Sequence, residues 1–124
     1  GISTLELLSV TFNDLRSLPN GLRYATRMLF LYVHDNPLLS SFPNEYSSLT
    51  KLRVINALRT QIASFPNWVY ALPYLEILRT KDDPTQRCTS ATTTFDLSYR
   101  GYYDFTLPSF EACTNLVTLI LTGN

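Results

Sequence analysis

A repeat solenoid of the α/β class, built on short parallel strands, is the fold this 124-residue sequence predicts. Three observations carry the expectation. A phrase of apolar residues closed by a small polar one returns at steps of 23, 24 and 23 residues, measured at Asn13, Asn36, Thr60 and Asp83. A proline-centred phrase follows it in the same rhythm. Inside the first phrase the apolar residues alternate with the two-residue period of a strand, so each repeat pairs one strand with a return segment.

The first phrase runs Leu5, Leu8, Val10, Asn13 and recurs as Met28, Leu31, Val33, Asn36, as Leu52, Ile55, Ala57, Thr60, and as Leu75, Leu78, Thr80, Asp83. A fifth copy, Leu116, Leu119, Leu121, Asn124, ends the sequence 41 residues after Asp83, nearly two steps. That gap marks an insertion or a degenerate repeat. The second phrase is "LRSLPNGL" at Leu15–Leu22, "LLSSFPNEY" at Leu38–Tyr46, "IASFPNWV" at Ile62–Val69 and "FTLPSF" at Phe105–Phe110. Its prolines fix an extended backbone and exclude a regular helix across those points.

With both phrases in register, the sequence resembles the leucine-rich repeat family, of the subtype whose units carry a Leu-Pro or Phe-Pro pair. The resemblance implies a right-handed curved solenoid with a parallel β-sheet on its concave face and a convex side of irregular chain and short helical turns. One domain spans 1–124, with repeats at 5–27, 28–51, 52–74 and 75–115, an insertion near 84–103, and a partial repeat at 116–124. In this family the turn residues stack as a ladder whose side chains satisfy backbone groups of a tight turn. Here the rungs are Asn13, Asn36, Thr60, Asp83 and Asn124, weakened in the middle where Thr60 and Asp83 replace asparagine.

Neither end reads as a polar cap, so the sequence is expected to be a window of a longer array, or a subunit whose open ends meet a neighbour. Within the insertion, Phe95, Leu97 and Tyr99 alternate with polar residues, which suggests a short irregular hairpin or loop excursion. A decayed repeat reads the same way. Trp68, Tyr70 and Tyr46, following the prolines, are expected in the core of the convex side.

Charge narrows the partners. Ten basic and ten acidic residues cancel without any like-charged run, which leaves no electrostatic footprint for nucleic acid or an anionic membrane. No segment approaches the roughly 18 apolar residues of a transmembrane helix, and the start at Gly1 has no basic flank or small-residue cleavage site of a signal peptide, so any targeting information is expected to lie outside this sequence. The two cysteines, Cys88 and Cys113, permit one disulfide or two free thiols and lack zinc-site spacing. The stretch "ACTNLVTLILTGN" resembles repeat tails of secreted and receptor-type members, which implies a disulfide and an extracellular or cell-surface setting, with the cytoplasm as the alternative. "TSATTT" at Thr89–Thr94 is read as a solvated loop or as an acceptor of O-linked sugar; there is no N-linked sequon.

Catalysis finds no support. His34 is the only histidine, with no serine or cysteine at a motif-like spacing, no phosphate loop and no metal pattern. Neither enzyme activity nor a cofactor is expected. The alternation instead assigns three outward columns on the sheet: Leu7, Phe30, Val54, Ile77 and Thr118; Ser9, Tyr32, Asn56, Arg79 and Ile120; Thr11, His34, Leu58, Lys81 and Thr122. An exposed stripe of Leu7, Phe30, Val54 and Ile77 beside Tyr32 and Leu58 marks a surface for a protein or peptide ligand, although β-branched and aromatic residues also favour strands for their own sake. His34, Asn56, Arg79 and Lys81 complete the candidate surface, and Phe30, Tyr32 and Arg79 are of the types that dominate binding energy. The competing expectation is a structural subunit of an extracellular fibre or coat, self-associating end to end through its open ends.

Overall fold

The computed structural model of the chain describes residues 1–81, 90–98 and 110–123. Two compact units divide it, Gly1–Asp82 and Asp83–Asn124.

In the first unit, β1 (Leu7–Ser9), β2 (Phe30–Tyr32), β3 (Val54–Asn56) and β4 (Ile77–Arg79) form one parallel sheet in chain order. Their register places Leu7 beside Phe30, Phe30 beside Val54, and Val54 beside Ile77, which reproduces the first column read from the repeat. Parallel neighbours need a long crossover. Here each crossover leaves the strand, runs extended to a proline, and turns once as a short helix before the next strand begins.

The prolines sit where their ring is an asset. Pro19, Pro43 and Pro66 hold φ of −71°, −67° and −56° with extended ψ, and helical turns follow directly at Asn20–Tyr24, Asn44–Ser48 and Asn67–Tyr70, the last being α1. A fixed φ and a missing N–H cost nothing at the start of a helical turn. The parallel sheet and the short turns agree with the expected α/β class.

Equivalent positions of successive repeats supply the core: Met28 and Leu52, Leu31 and Ile55, Leu39 and Ile62, and Leu18, Phe42 and Phe65 are all buried. Leu5, Leu8 and Val10 in the first repeat and Leu75 and Leu78 in the fourth are only partly buried against them. Among the described residues β1 and β4 each pair with a single strand, and such a repeat covers less of its apolar edge than one with a strand on either side.

Tyr46 is fully buried and donates its hydroxyl proton to the Pro19 carbonyl at 2.7 Å. Burial, with the Glu45 charge adding to it, pushes the phenol well above its usual range. Replacing Tyr46 by phenylalanine is expected to lower stability by about 1 kcal/mol, because a part-buried hydrogen bond to the Pro19 carbonyl is lost; a urea midpoint unchanged from wild type would refute the role. Trp68 also packs against the core, whereas Tyr70 is 65% exposed. The expectation of a core Tyr70 is therefore corrected: one short turn of α1 can bury Val69 and lean Trp68 inward, and the next residue round points away.

Strands β1, β2 and β3 each leave the sheet through a residue of positive φ: Phe12 at 56°, Asp35 at 59° and Arg59 at 55°. None is glycine, and each immediately precedes the ladder residue. The Phe12 N–H donates to the His34 carbonyl, and the Asp35 N–H to that of Leu58, so the left-handed turn keeps these donors bonded to the neighbouring repeat.

The second unit contains β5 (Thr94–Asp96) and β6 (Thr118–Ile120), parallel, with Thr94 beside Thr118 and Asp96 beside Ile120. Leu97 and Cys113 are buried there, with Phe110 and Leu116 packed on them. Thr118 and Ile120 belong to this two-stranded sheet. Among the described residues the stretch around Phe95 pairs parallel with β6, while the residues after Ser98 that would complete the expected hairpin or loop excursion lie outside the described residues. Thr94 and Thr118 lie one repeat step apart, so β5 behaves as a degenerate repeat strand. Leu119 and Leu121, expected inward, are 42% and 40% exposed, since β6 pairs on one side alone among the described residues.

Candidate functional site

A cluster of charged and aromatic side chains forms beyond the C-terminal ends of β1 to β3, and of its members the sequence singled out Tyr32 and His34. Asp35 and Arg59 occupy the same left-handed position in adjacent repeats, which brings them side by side. The Arg59 guanidinium donates twice to the Asp35 carboxylate, Nε to Oδ1 at 2.6 Å and Nη2 to Oδ2 at 2.9 Å. His34 Nδ1 lies 2.7 Å from Oδ2. An ionised carboxylate only accepts, so Nδ1 carries the proton and donates.

Aromatic rings continue the cluster. Phe12 meets the His34 ring edge-on at 5.9 Å, Tyr32 lies 6.4 Å from His34, and Phe30 lies 6.4 Å from Tyr32. The arrangement is a row of ring surfaces along two strands that ends on a bidentate ion pair.

Exposure departs from the outward reading at four positions. Val54 and Asn56 are 1% exposed, Leu58 is fully buried and His34 is 6% exposed. Alternation decides which side a residue points to, but in a parallel register strands lie roughly 4.8 Å apart. Val54 is thereby flanked by Phe30 and Ile77, and Asn56 by Tyr32 and Arg79. Asn56 also turns its Oδ1 onto the Leu58 N–H at 3.1 Å, a local bond that holds both inward. Leu7 is exposed, and Phe30, Tyr32, Ile77, Arg79 and Lys81 are half-buried.

The ladder residues differ in reach. Asn36, fully buried, donates to the carbonyls of Val10 and Val33 at 2.9 Å and accepts from the Leu15 N–H at 3.3 Å, which ties two repeats together. Asn13 donates to Val10 and Thr11 carbonyls of its own turn, and Thr60 to Ala57 of its own. Asp83, Asn124 and Cys88 lie outside the described residues. Cys113 is disulfide-bonded.

The sequence reading missed the Asp35–Arg59 pair and Phe12. Opposite charges at one repeat position, 24 residues apart, were the available signal. Among the described residues no group of His, Cys, Asp or Glu could hold a metal ion, and no helix is long and apolar enough to cross a membrane.

Electrostatics follow from this geometry. Burial lowers the His34 pKa below its ordinary 6.5; the Asp35 hydrogen bond and charge oppose that, and the Arg59 charge adds to it. At Asp35 burial pushes the carboxyl upward, but the bonds and charges of Arg59 and His34 together outweigh it and hold the pKa below 3.8. Both depressed pKa values mean that the unfolded chain binds the proton first, so stability is full above the unfolded value and is lost as pH falls. The unfolding midpoint is expected to start falling near pH 6.5, the ordinary value for His34, and again below 3.8 through Asp35. His34→Gln should abolish the first decline and keep the second. Since the chain has one histidine, a first decline that survives that substitution would contradict the assignment.

No protein-family model matches the sequence, and no curated protein is detectably similar to it.

Proposed function

We propose that the chain is a recognition or scaffold module of the leucine-rich repeat type, a curved repeat solenoid that binds a protein or peptide through its parallel sheet. The observation that carries the reading is the sheet itself. Strands from successive repeats lie in chain order with Leu7, Phe30, Val54 and Ile77 in one register, an arrangement in which each repeat adds one strand to a continuous surface.

Burial moves the proposed contact surface away from the middle of the sheet and toward β1. Leu7 and Phe12 are 49% and 51% exposed; Phe30 lies beside Leu7 in register, and Phe12 and Tyr32 both meet the His34 ring. Large apolar and aromatic groups grouped on a surface are the usual source of binding energy between proteins. The disulfide at Cys113 favours an extracellular or cell-surface setting over the cytoplasm. In that setting Thr93 and Thr94, both exposed, are candidate acceptors of O-linked sugar.

Selection of peptides from a random library against the folded chain tests the proposal. Selected peptides should bind the wild type and lose at least about tenfold in affinity with Phe30→Ala or Leu7→Ser. Peptides that bind both variants as well as the wild type would count against this surface.

A second reading rests on β6. Val117, Leu119 and Leu121 beside it are 84%, 42% and 40% exposed, so a structural subunit that assembles through this edge into a fibre or coat is the alternative. Sedimentation over a concentration series decides between them: mass that rises with concentration, and stops rising with Leu119→Asp, supports assembly.

A further inference from the structure

A cleft opens at the N-terminal ends of β2, β3 and β4. Residues just before β2, β3 and β4 line a cavity of about 660 Å³, with Leu29, Pro73 and Tyr74 as apolar wall and Lys51, Arg53 and Glu76 as polar rim. That volume lies within the roughly 300–1,000 Å³ of small-ligand clefts. Backbone bonds fix the frame: the Arg53 N–H donates to the Leu29 carbonyl and the Glu76 N–H to the Arg53 carbonyl, each at 2.8 Å. The walls therefore belong to three strands locked in register.

The rim is unbalanced in charge. Glu76 is engaged by Arg53 through one nitrogen, Nη2, at 3.0 and 3.2 Å to its two oxygens. This leaves Nε and Nη1 of Arg53 outside that pair. Lys51 is exposed and meets no carboxylate among the described residues. Two cations against one anion suit a singly charged anionic ligand, whereas a phosphate dianion would overcompensate the rim and crowd Glu76. Tyr74, 63% exposed, offers a ring face that water leaves readily when an apolar group covers it.

We infer that this cleft binds a monocarboxylate attached to an aromatic or aliphatic body, with Lys51 and the outer edge of Arg53 taking the carboxylate and Tyr74, Pro73 and Leu29 taking the body. A free organic acid and the C-terminal end of a peptide finishing in an apolar residue share this chemistry. The cleft shares none of its lining residues with the proposed sheet surface of Leu7, Phe12, Phe30 and Tyr32.

Backbone-amide chemical shifts test it, with N-acetylphenylalanine as probe and N-acetylphenylalaninamide as the uncharged control. Saturable shifts are expected at Leu29, Arg53 and Glu76 for the acid, and binding at least about tenfold weaker for the amide, since the charge-assisted hydrogen bonds from Lys51 and Arg53 are lost. Lys51→Met should weaken the acid toward the level of the amide, Lys51→Arg should restore most of the affinity, and Tyr74→Ala should weaken acid and amide alike. Acid and amide binding equally, shifts confined to other residues, or an affinity untouched by Lys51→Met would overturn the inference. An acetylated tripeptide ending in phenylalanine identifies the source within it: tighter binding than the single residue assigns the cleft to peptide termini, and equal or weaker binding assigns it to small acids.

Discussion

Replacing Asn36 by alanine is expected to destabilise the first unit by about 3 kcal/mol, which corresponds to a fall in Tm of roughly 12–24 °C for a unit of this size. The effect is large because the amide cannot be replaced by water. Asn36 is fully buried, and it bonds the Val10 carbonyl in one repeat and the Val33 carbonyl in the next while accepting from the Leu15 N–H. Asn13 also donates to the Val10 carbonyl, so that acceptor keeps a partner in the variant. The Leu15 N–H and the Val33 carbonyl lose theirs, and each orphaned buried group costs about 1–3 kcal/mol. Urea unfolding measures the total, and a loss below about 1 kcal/mol would show that the amide is not the tie between repeats. Asn13→Ala is the natural comparison. Its amide is exposed and bonds only its own turn, so its effect should be much smaller.

Phe42→Ala is expected to cost about 3–5 kcal/mol, the range for emptying an aromatic site in a packed core. Phe42 is 6% exposed and sits among three other rings: Phe65 at 5.1 Å, Tyr46 at 5.6 Å edge-on, and Trp68 at 5.9 Å. Ring pairs in such geometry add to the area they bury. Two repeats lose packing at once, because Phe65 belongs to the repeat after Phe42. The only tryptophan of the chain reports the change directly. Trp68 Nε1 is buried without a hydrogen-bond partner, so a cavity at position 42 that admits water should shift its emission to the red. Phe42→Leu keeps most of the volume and should cost less than about 1.5 kcal/mol. Similar losses for alanine and leucine would mean that the site collapses freely and that the ring contacts add little.

Strand positions and register were legible in the sequence because two signals coincide in it. The alternation around Leu8 and Val10 defines a strand, and the recurrence at Leu31, Ile55 and Leu78 sets each strand beside the last. The return segments were legible through Pro19, Pro43 and Pro66, whose backbone geometry does not depend on the rest of the fold. Depth of burial was not legible. Alternation places Val54 and Leu58 on the face opposite Ile55, yet carries no information about the side chains that flank them. The strand at Thr94–Asp96 could be read only as one of two alternatives, a loop excursion or a decayed repeat, because Thr92 and Phe95 replace the first two leucines of the phrase and the tell-tale asparagine is missing. Of the candidate site, Phe30, Tyr32 and His34 could be named, whereas the pairing of Asp35 with Arg59 depends on two left-handed residues that neither side chain advertises.

The left-handed residues have a consequence for how the sequence can vary. An L-residue in that region costs roughly 1–2 kcal/mol relative to glycine, and still Phe12, Asp35 and Arg59 occupy it. An aromatic group, an acid and a base adopt nearly the same φ, so the surrounding turn imposes the backbone and leaves the choice of side chain open. Asp35 and Arg59 offset the strain by bonding each other. Along this row, diversification by mutation or by library design can change the chemistry of one repeat at a time on an unmoved main chain, while glycine would relax the turn and leave that slot blank.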